Sequence, residues 1–197
     1  MTTLAIVTFD GFTDIDVFLH WDLLNRPRLE LSEPVAEWQV RLLGTALRHR
    51  SRAGLEIEMH GSIEEARDAD AVIHTSGPAT RRLVEDRSYL DRLALDPARQ
   101  LVASQCSGAL ILGAAGLLKG KTATTVPGAA AQLEGYGARV VAEAFVAHER
   151  IATAASCLAG VALDRWLITK LAGREVAEAC IASASPIGRG PEVKAAS

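Results

Sequence analysis

Short apolar runs alternate with longer stretches of helical periodicity along most of the chain. The apolar runs predict strands at 4–9, 38–45, 71–75, 100–105, 139–142 and 151–155, with a half-exposed or edge strand at 54–60. The helical stretches predict helices at 14–25, 62–68, 79–95 (in two pieces), 107–117, 128–135, 158–172 and 174–184. Strands that alternate with helices predict a mostly parallel sheet with helices on both faces.

This pattern predicts one α/β sandwich domain over residues 1–185. The remaining residues, 186–197, are rich in proline, glycine and small side chains, and we expect them to form a loosely held tail. In a sheet of parallel strands, functional sites lie at the carboxyl ends of the strands. We therefore expect catalytic and binding residues where the strands end.

Composition narrows the class of protein. Of the 197 residues, 49% are hydrophobic and 23% are charged, and the net charge is −3, which is typical of a soluble globular protein and gives no sign of a nucleic-acid or membrane partner. The amino terminus lacks the basic segment of a secretory signal. Three cysteines without metal-ligand spacing suggest reduced thiols in a cytoplasmic protein, with no bound metal.

The segment LVASQCSGALILGAAGLL (101–118) has small and polar residues in the middle of an apolar run. Cys106 stands where the predicted strand turns into the predicted helix, and small neighbours such as Ser107 and Gly108 leave room for a sharp turn. This pattern predicts a nucleophile elbow, in which the amides and dipole of the following helix favour the thiolate. The alternative is that Cys106 is a small buried apolar residue.

Three segments carry a family resemblance. SQCSGALILGAAGLLKGKTATT (104–125) resembles the nucleophile segment of the DJ-1/PfpI (ThiJ) superfamily, and its ending is close to the isonitrile hydratase-like branch. VTFDGFTDIDVF (7–18) and VIHTSGPATRRLVED (72–86) resemble two further segments of that branch in the same order. The resemblance extends over residues 4–180. It implies a flavodoxin-like three-layer sandwich of the class I glutamine amidotransferase type, usually a homodimer.

The same resemblance implies catalytic roles for Cys106 and Asp16. Asp16 corresponds to an acidic residue at the start of the first helix, from where it would approach the sulfur. Two acidic groups this close are expected to share a proton, so that Asp16 acts as a general acid. The alternative is that Asp16, or Asp14 in the same turn, is only a carboxylate that the helix dipole favours.

Four further residues are candidates for the pocket. The amides of Gly77 and of Ser107 are placed to stabilise developing negative charge. Gly77 is also explained by a turn that needs a positive φ, and Ser107 by the start of a helix. Ser156 and Cys157 replace a glycine-rich turn of the family and are expected to face the pocket. Packing is the alternative role for Cys157.

Several positions depart from the family pattern. Val126 and Pro127 stand where the hydratase-like branch has His and Trp, so a Cys-His protease or amidase would lack its base. His20 replaces a proline of the branch, which suggests an altered pocket mouth. His74 ends a strand and is most simply a core or edge residue. Ser76 and Ala79 replace glycines of the turn at the start of the predicted helical stretch 79–95.

These observations predict a cysteine-dependent enzyme that acts on a small carbon–nitrogen compound without a metal or organic cofactor. The most specific reaction is the hydration of an isonitrile to an N-substituted formamide. The alternative is a non-enzymatic stress-response or redox-sensing protein in which Cys106 is reversibly oxidised. A ligand-binding domain of the kind found in AraC-type regulators fits less well, because the sequence has no helix-turn-helix segment.

Overall fold

The computed structural model describes residues 1–185. Its strands are β1 (Thr2–Val7), β2 (Trp38–Gly44), β3 (Arg48–Arg50), β4 (Glu56–Glu58), β5 (Gly61–Ser62), β6 (Ala71–His74), β7 (Leu101–Gln105), β8 (Thr122–Ala123), β9 (Arg139–Val140), β10 (Phe145–Ala147) and β11 (Ile151–Ala154). Its α-helices are α1 (Asp14–Leu29), α2 (Thr80–Leu83), α3 (Arg87–Leu93), α4 (Ala109–Ala114), α5 (Ala130–Gly135), α6 (Gly160–Ala172) and α7 (Arg174–Ala184).

Seven strands form the central sheet in the order β10-β11-β7-β6-β1-β2-β5. Every neighbouring pair is parallel except β10 and β11, which are antiparallel. The remaining strands form two small two-stranded sheets, β3 with β4 and β8 with β9. The mostly parallel α/β sheet that the alternating pattern predicted is therefore confirmed.

Helices cover both faces of the sheet because its buried strands alternate their side chains between two cores. Along β1, Leu4 and Ile6 pack with α1, α6 and α7, whereas Ala5 and Val7 pack with α3, α4 and α5. Burial on both sides explains why the central strands are almost continuously apolar. The result is a three-layer sandwich.

Differences from the predicted elements concentrate in short or polar segments. The predicted strand 54–60 is ordered as a strand only at Glu56–Glu58, where it pairs with the unpredicted Arg48–Arg50. The predicted helix 107–117 is a 3-10 turn (Cys106–Gly108) followed by α4, and Gly116 with a φ of +77° lies just beyond it. The segment Ile63–Asp68 is a 3-10 helix, and Glu65 accepts the Ser62 backbone N–H at 2.8 Å, as the capping-box pattern predicted.

The predicted tail, 186–197, lies outside the described residues. Among residues 1–185, no helix combines the length and apolar character that crossing a membrane requires.

Candidate active site

Cys106 lies where β7 turns sharply into a helix. Its backbone φ is +51°, in the left-handed region that residues other than glycine rarely adopt. The 3-10 turn and α4 follow directly, and the Thr125 hydroxyl donates to the Cys106 carbonyl at 2.8 Å. The Cys106 side chain is therefore held at the carboxyl edge of the sheet, where it is 5% exposed.

Two glycines allow other segments to pack closely around this turn. A Cβ atom at Gly108 would overlap the His74 carbonyl oxygen, so α4 can approach the end of β6 only with glycine at this position. A Cβ atom at Gly77 would lie 2.5 Å from the Gly11 carbonyl oxygen. Gly77 does not have a positive φ. Crowding, and not a left-handed turn, is therefore what requires glycine at position 77.

Asp16 lies in the first turn of α1 and is fully buried. One carboxylate oxygen accepts a short hydrogen bond from the Ser76 hydroxyl. The other has no hydrogen-bond partner among residues 1–185. A carboxylate oxygen of Asp16 and the sulfurs of Cys106 and Cys157 all lie within 4.8 Å of one another. The structure thus brings the two predicted catalytic residues together and adds a second thiol.

The two thiols contact each other, with 3.8 Å between the Sγ atoms of Cys106 and Cys157. Burial raises the pKa of the Cys106 thiol well above its ordinary value, and the nearby Asp16 carboxylate raises it further. Burial and Asp16 also raise the pKa of Cys157. The thiolate predicted from the following helix is thus opposed by burial and by Asp16. The protonated thiol is the favoured resting form.

A pocket of about 310 Å³ opens over the Cys106 sulfur. Its lining residues come from several segments of the chain: Thr13, Arg52, Ser76, Gly77, Pro78, Arg81, Cys106, Ser107, Val126 and Cys157. Within residues 1–185 the Gly77 N–H has no backbone acceptor. A larger cavity of about 850 Å³, around Trp21 and Trp38, holds none of the predicted site residues.

A sequence profile described as the DJ-1/PfpI family matches residues 2–170. The chain belongs to the DJ-1/PfpI family. It is similar to the isonitrile hydratase of Pseudomonas putida, with 32% identity over 129 residues, which are 65% of this chain and 57% of that protein. The chain thus matches little more than half the length of this relative.

Solved structures of DJ-1/PfpI proteins share the fold. A THiJ/PfpI family protein from Pseudomonas syringae superposes with a TM-score of 0.82 and 25% identity, covering 98% of this chain and 78% of that one. DJ-1 of Schizosaccharomyces pombe superposes with a TM-score of 0.78 and 18% identity, covering 94% of this chain and 100% of that one. The second likeness shows the fold alone. Both the predicted family and the flavodoxin-like sandwich are confirmed.

Gln105 is a residue of the candidate site that the sequence pattern did not single out. It is fully buried, and its amide donates to the Cys157 carbonyl at 3.1 Å and, through a short bond, to the Ser156 carbonyl. The same nitrogen lies 3.8 Å from the Cys106 sulfur. Gln105 therefore holds the turn that carries Cys157 against Cys106. The sequence feature that could have indicated this role was a polar amide side chain in a strand predicted to be buried.

Ser156 does not take the predicted place in the pocket. Ser156 is exposed and is not among the lining residues, and its carbonyl accepts a hydrogen bond from the Gln105 amide. Ser107 does line the pocket, and its Oγ lies 3.1 Å from the Thr80 hydroxyl. With the hydroxyl engaged by Thr80, the backbone amide is the group of Ser107 best placed to serve the pocket.

His20 lies in the core and not at the pocket mouth, which corrects the interpretation drawn from its replacement of a family proline. Its Nδ1 is 2.7 Å from Asp164 Oδ1, and both side chains are fully buried. Burial raises the pKa of Asp164, and the nearby His20 opposes that effect. The pair joins α1 to α6 behind the site, so His20 does not replace the missing histidine of the pocket.

His74 is also a core residue, as its position suggested. Its Nδ1–H donates to the Thr75 carbonyl at 2.9 Å, and its Nε2 accepts from the Tyr89 hydroxyl at 2.7 Å. Burial lowers the pKa of His74 to about 4. A neutral ring with both nitrogens engaged has no free group for acid–base chemistry. Val126, where the hydratase-like pattern has histidine, makes that side of the pocket apolar.

Two thiols and a carboxylate are also ligand types that Zn²⁺ accepts. Both sulfurs would have to lose their protons to bind the metal. Burial and the Asp16 charge oppose that loss.

Proposed function

We propose that this protein is an enzyme that uses Cys106 to hydrate a small isonitrile to an N-substituted formamide. The observation that carries the proposal is the placement of the Cys106 thiol beside the buried Asp16 carboxylate, under one small pocket. The similarity to the Pseudomonas putida isonitrile hydratase supports the choice of reaction. The strand-to-helix turn at Cys106 supports its role as a nucleophile of the elbow type.

The first half of the reaction adds the thiol to the terminal isonitrile carbon. Cys106 Sγ forms a bond to that carbon while the Asp16 carboxylate takes the thiol proton. Asp16 then delivers this proton to the same carbon, which gives a thioimidate on Cys106. A resting thiol that keeps its proton suits this step, because the acid the carbon needs is already in the site.

The second half releases the product. Water adds to the thioimidate carbon, the carbon–sulfur bond breaks, and the thiol recovers its proton. The nitrogen gains a proton, so one isonitrile and one water give one formamide. The amides of Gly77 and Ser107 line the pocket, where they can donate to the oxygen that develops negative charge.

Direct assay tests this proposal. The purified protein is incubated with a panel of small isonitriles, and formamide is quantified by chromatography. We expect turnover by the parent and by Cys180→Ser, which changes a control thiol buried on α7, and only background with Cys106→Ser. Turnover by Cys106→Ser near the parent rate would refute a cysteine mechanism, and no turnover of any isonitrile would refute the reaction.

The Cys106–Cys157 contact favours a second candidate function, a redox protein. A hydroperoxide would oxidise Cys106 to a sulfenic acid and leave as the alcohol. The Cys157 thiol, 3.8 Å away, would then displace water to form a disulfide. After dilute peroxide, a disulfide peptide containing both cysteines, together with absent isonitrile turnover, would favour this role. Sulfinic acid at Cys106 without a disulfide would exclude Cys157 as the thiol that reacts with oxidised Cys106.

The homodimer stays a prediction. Sedimentation equilibrium at micromolar protein tests it, and a monomer at that concentration would refute it.

A further inference from the structure

The mouth of the Cys106 pocket carries two positive charges. Arg52, in the turn after β3, and Arg81, in α2, both line it. No acidic residue of the described range 1–185 lines the same pocket; Asp16 is fully buried and is not among the lining residues. The lining residues therefore present positive charge to an entering molecule.

Neither arginine is engaged in an ion pair within residues 1–185. Arg48 and Arg50, which precede Arg52 in the same hairpin, pair with Glu58 at 2.5 Å and Glu56 at 3.7 Å. Arg52 lies past the end of that strand and has no such partner in the described residues. The hairpin thus neutralises two of its arginines and leaves the third, at the pocket, free to bind a ligand.

Hydrogen bonds fix both arginines relative to the site, Arg52 through its backbone and Arg81 through its side chain. The Arg52 N–H donates to the Phe12 carbonyl at 2.8 Å, which ties it to the loop before α1. The Arg81 guanidinium donates to the Gly128 carbonyl at 3.0 Å, which holds it beside the segment after Val126. That single hydrogen bond leaves other N–H groups of Arg81 available.

We propose that Arg52 and Arg81 select substrates that carry a carboxylate next to the group that reacts with Cys106. A guanidinium presents paired N–H donors that match the geometry of a carboxylate. Two of them at the mouth of a small pocket hold the anion while the rest of the molecule reaches the sulfur. The part of this inference that concerns substrates of the reaction rests on the proposed function. The anion preference rests on the pocket alone.

A matched pair of alkylating agents tests the anion preference without any isonitrile. Iodoacetate and iodoacetamide both form a sulfur–carbon bond as iodide leaves, and they differ in one charged group. The labelling rate of each is measured at Cys106 by peptide mass spectrometry at pH 8.5 and low ionic strength. The iodoacetate-to-iodoacetamide rate ratio is then divided by the ratio for 2-mercaptoethanol, a neutral thiol.

We expect this normalised ratio to be about 10 for the parent, since a cleft of one charge sign raises the local concentration of counter-ions by at least that factor. It should fall to about 1 in the Arg52→Gln/Arg81→Gln double variant. Sodium chloride at about 0.5 M should lower it because salt screens exposed charges. Arg82→Gln, the neighbour of Arg81 that does not line the pocket, should keep the parent ratio.

A parent ratio near 1, a ratio unchanged in the double variant, or no labelling of Cys106 by either reagent would overturn the proposal. A second measurement separates it from the proposed reaction. Isocyanoacetate and its methyl ester are compared by kcat/KM, and we expect the acid to be favoured about 10-fold in the parent only. If neither is hydrated while the labelling ratio stays high, the reaction is wrong and the anion preference stands.

Discussion

Two fully buried aspartates lie on helices of the same face of the sheet, in opposite surroundings. Asp164 has the ring nitrogen of His20 at 2.7 Å, a partner that can carry positive charge. Asp16 has the Ser76 hydroxyl and thiol sulfurs around it, none of which can carry positive charge. The two carboxylates have the same burial and differ in what compensates their charge.

This difference distinguishes a carboxylate with a structural role from one that can take part in proton transfer. A buried carboxylate that is hydrogen-bonded to a partner able to carry positive charge is a fixed part of the core, and removing that partner leaves the buried group unpaired. A buried carboxylate beside neutral acidic groups can exchange protons with them. Asp164 therefore belongs to the first kind and Asp16 to the second. Four experiments test this assignment.

The largest effect is expected from Asp16→Asn. The amide keeps the shape and the hydrogen-bonding capacity of the side chain but cannot transfer the proton, so isonitrile turnover should fall by about 10²–10⁴-fold. Asp14→Asn, in the same turn of α1, is the matched control and should stay near the parent. Turnover of Asp16→Asn within about threefold of the parent would place the proton elsewhere.

Removing the partner of Asp164 should affect stability instead. His20→Leu leaves the Asp164 carboxylate buried and unpaired, and we expect the free energy of unfolding in urea to fall by about 3–5 kcal/mol. The double variant His20→Leu/Asp164→Leu should lose less than the single variant, because no lone charge remains. A single-variant loss below about 1 kcal/mol would mean that the pair is not a structural ion pair.

The pH dependence of Cys106 labelling reports on the charge of Asp16. Because burial and Asp16 raise the pKa of Cys106, its thiolate fraction should still be rising between pH 7 and pH 9. Iodoacetamide labelling should then increase about tenfold per pH unit without a plateau. Asp16→Asn removes the like charge, lowers the pKa of Cys106 and should speed labelling at pH 7. A plateau near pH 7 in the parent would contradict this order of effects.

The smallest effect is expected from Ser76→Ala. This change deletes the one hydrogen bond that the Asp16 carboxylate accepts from Ser76 and leaves its charge in place. The loss of about 1 kcal/mol corresponds to a roughly fivefold change in turnover. Ser76→Thr, which retains a hydroxyl, is the control. A loss as large as that of Asp16→Asn would make Ser76, and not only Asp16, part of the proton transfer.

Much of the sheet was predictable because burial on both faces leaves a strong local signal. β1, β6, β7 and β11 are mainly apolar, almost entirely buried strands whose carboxyl ends meet at one edge. Cys157 follows β11 at this edge; the family pattern led us to expect it to face the pocket, with packing as the alternative. β3 has the sequence RHR and forms through backbone pairing with β4, so its polar side chains gave no strand signal.

Long-range polar pairing was not predictable. His20 and Asp164 are separated by 144 positions in the sequence. The residues around each of them give no indication that the two side chains pair. The favoured charge of Cys106 was also misjudged, because the predicted helix amides are a local feature whereas burial and the Asp16 charge depend on how α1 packs. The role of Gln105 was not predicted for the same reason, because its hydrogen-bond partners lie in the turn after β11.

The left-handed backbone of Cys106 has a consequence for how this fold tolerates change. A side chain in that conformation is disfavoured by about 1–2 kcal/mol, and glycine carries no such penalty. The backbone at position 106 therefore favours glycine, which has no side-chain nucleophile. A single Cys106→Gly substitution would relax the turn and leave an inert but sound scaffold. In this architecture, losing the thiol removes an unfavourable backbone conformation. A correctly folded sandwich therefore does not imply that the protein has a reactive thiol.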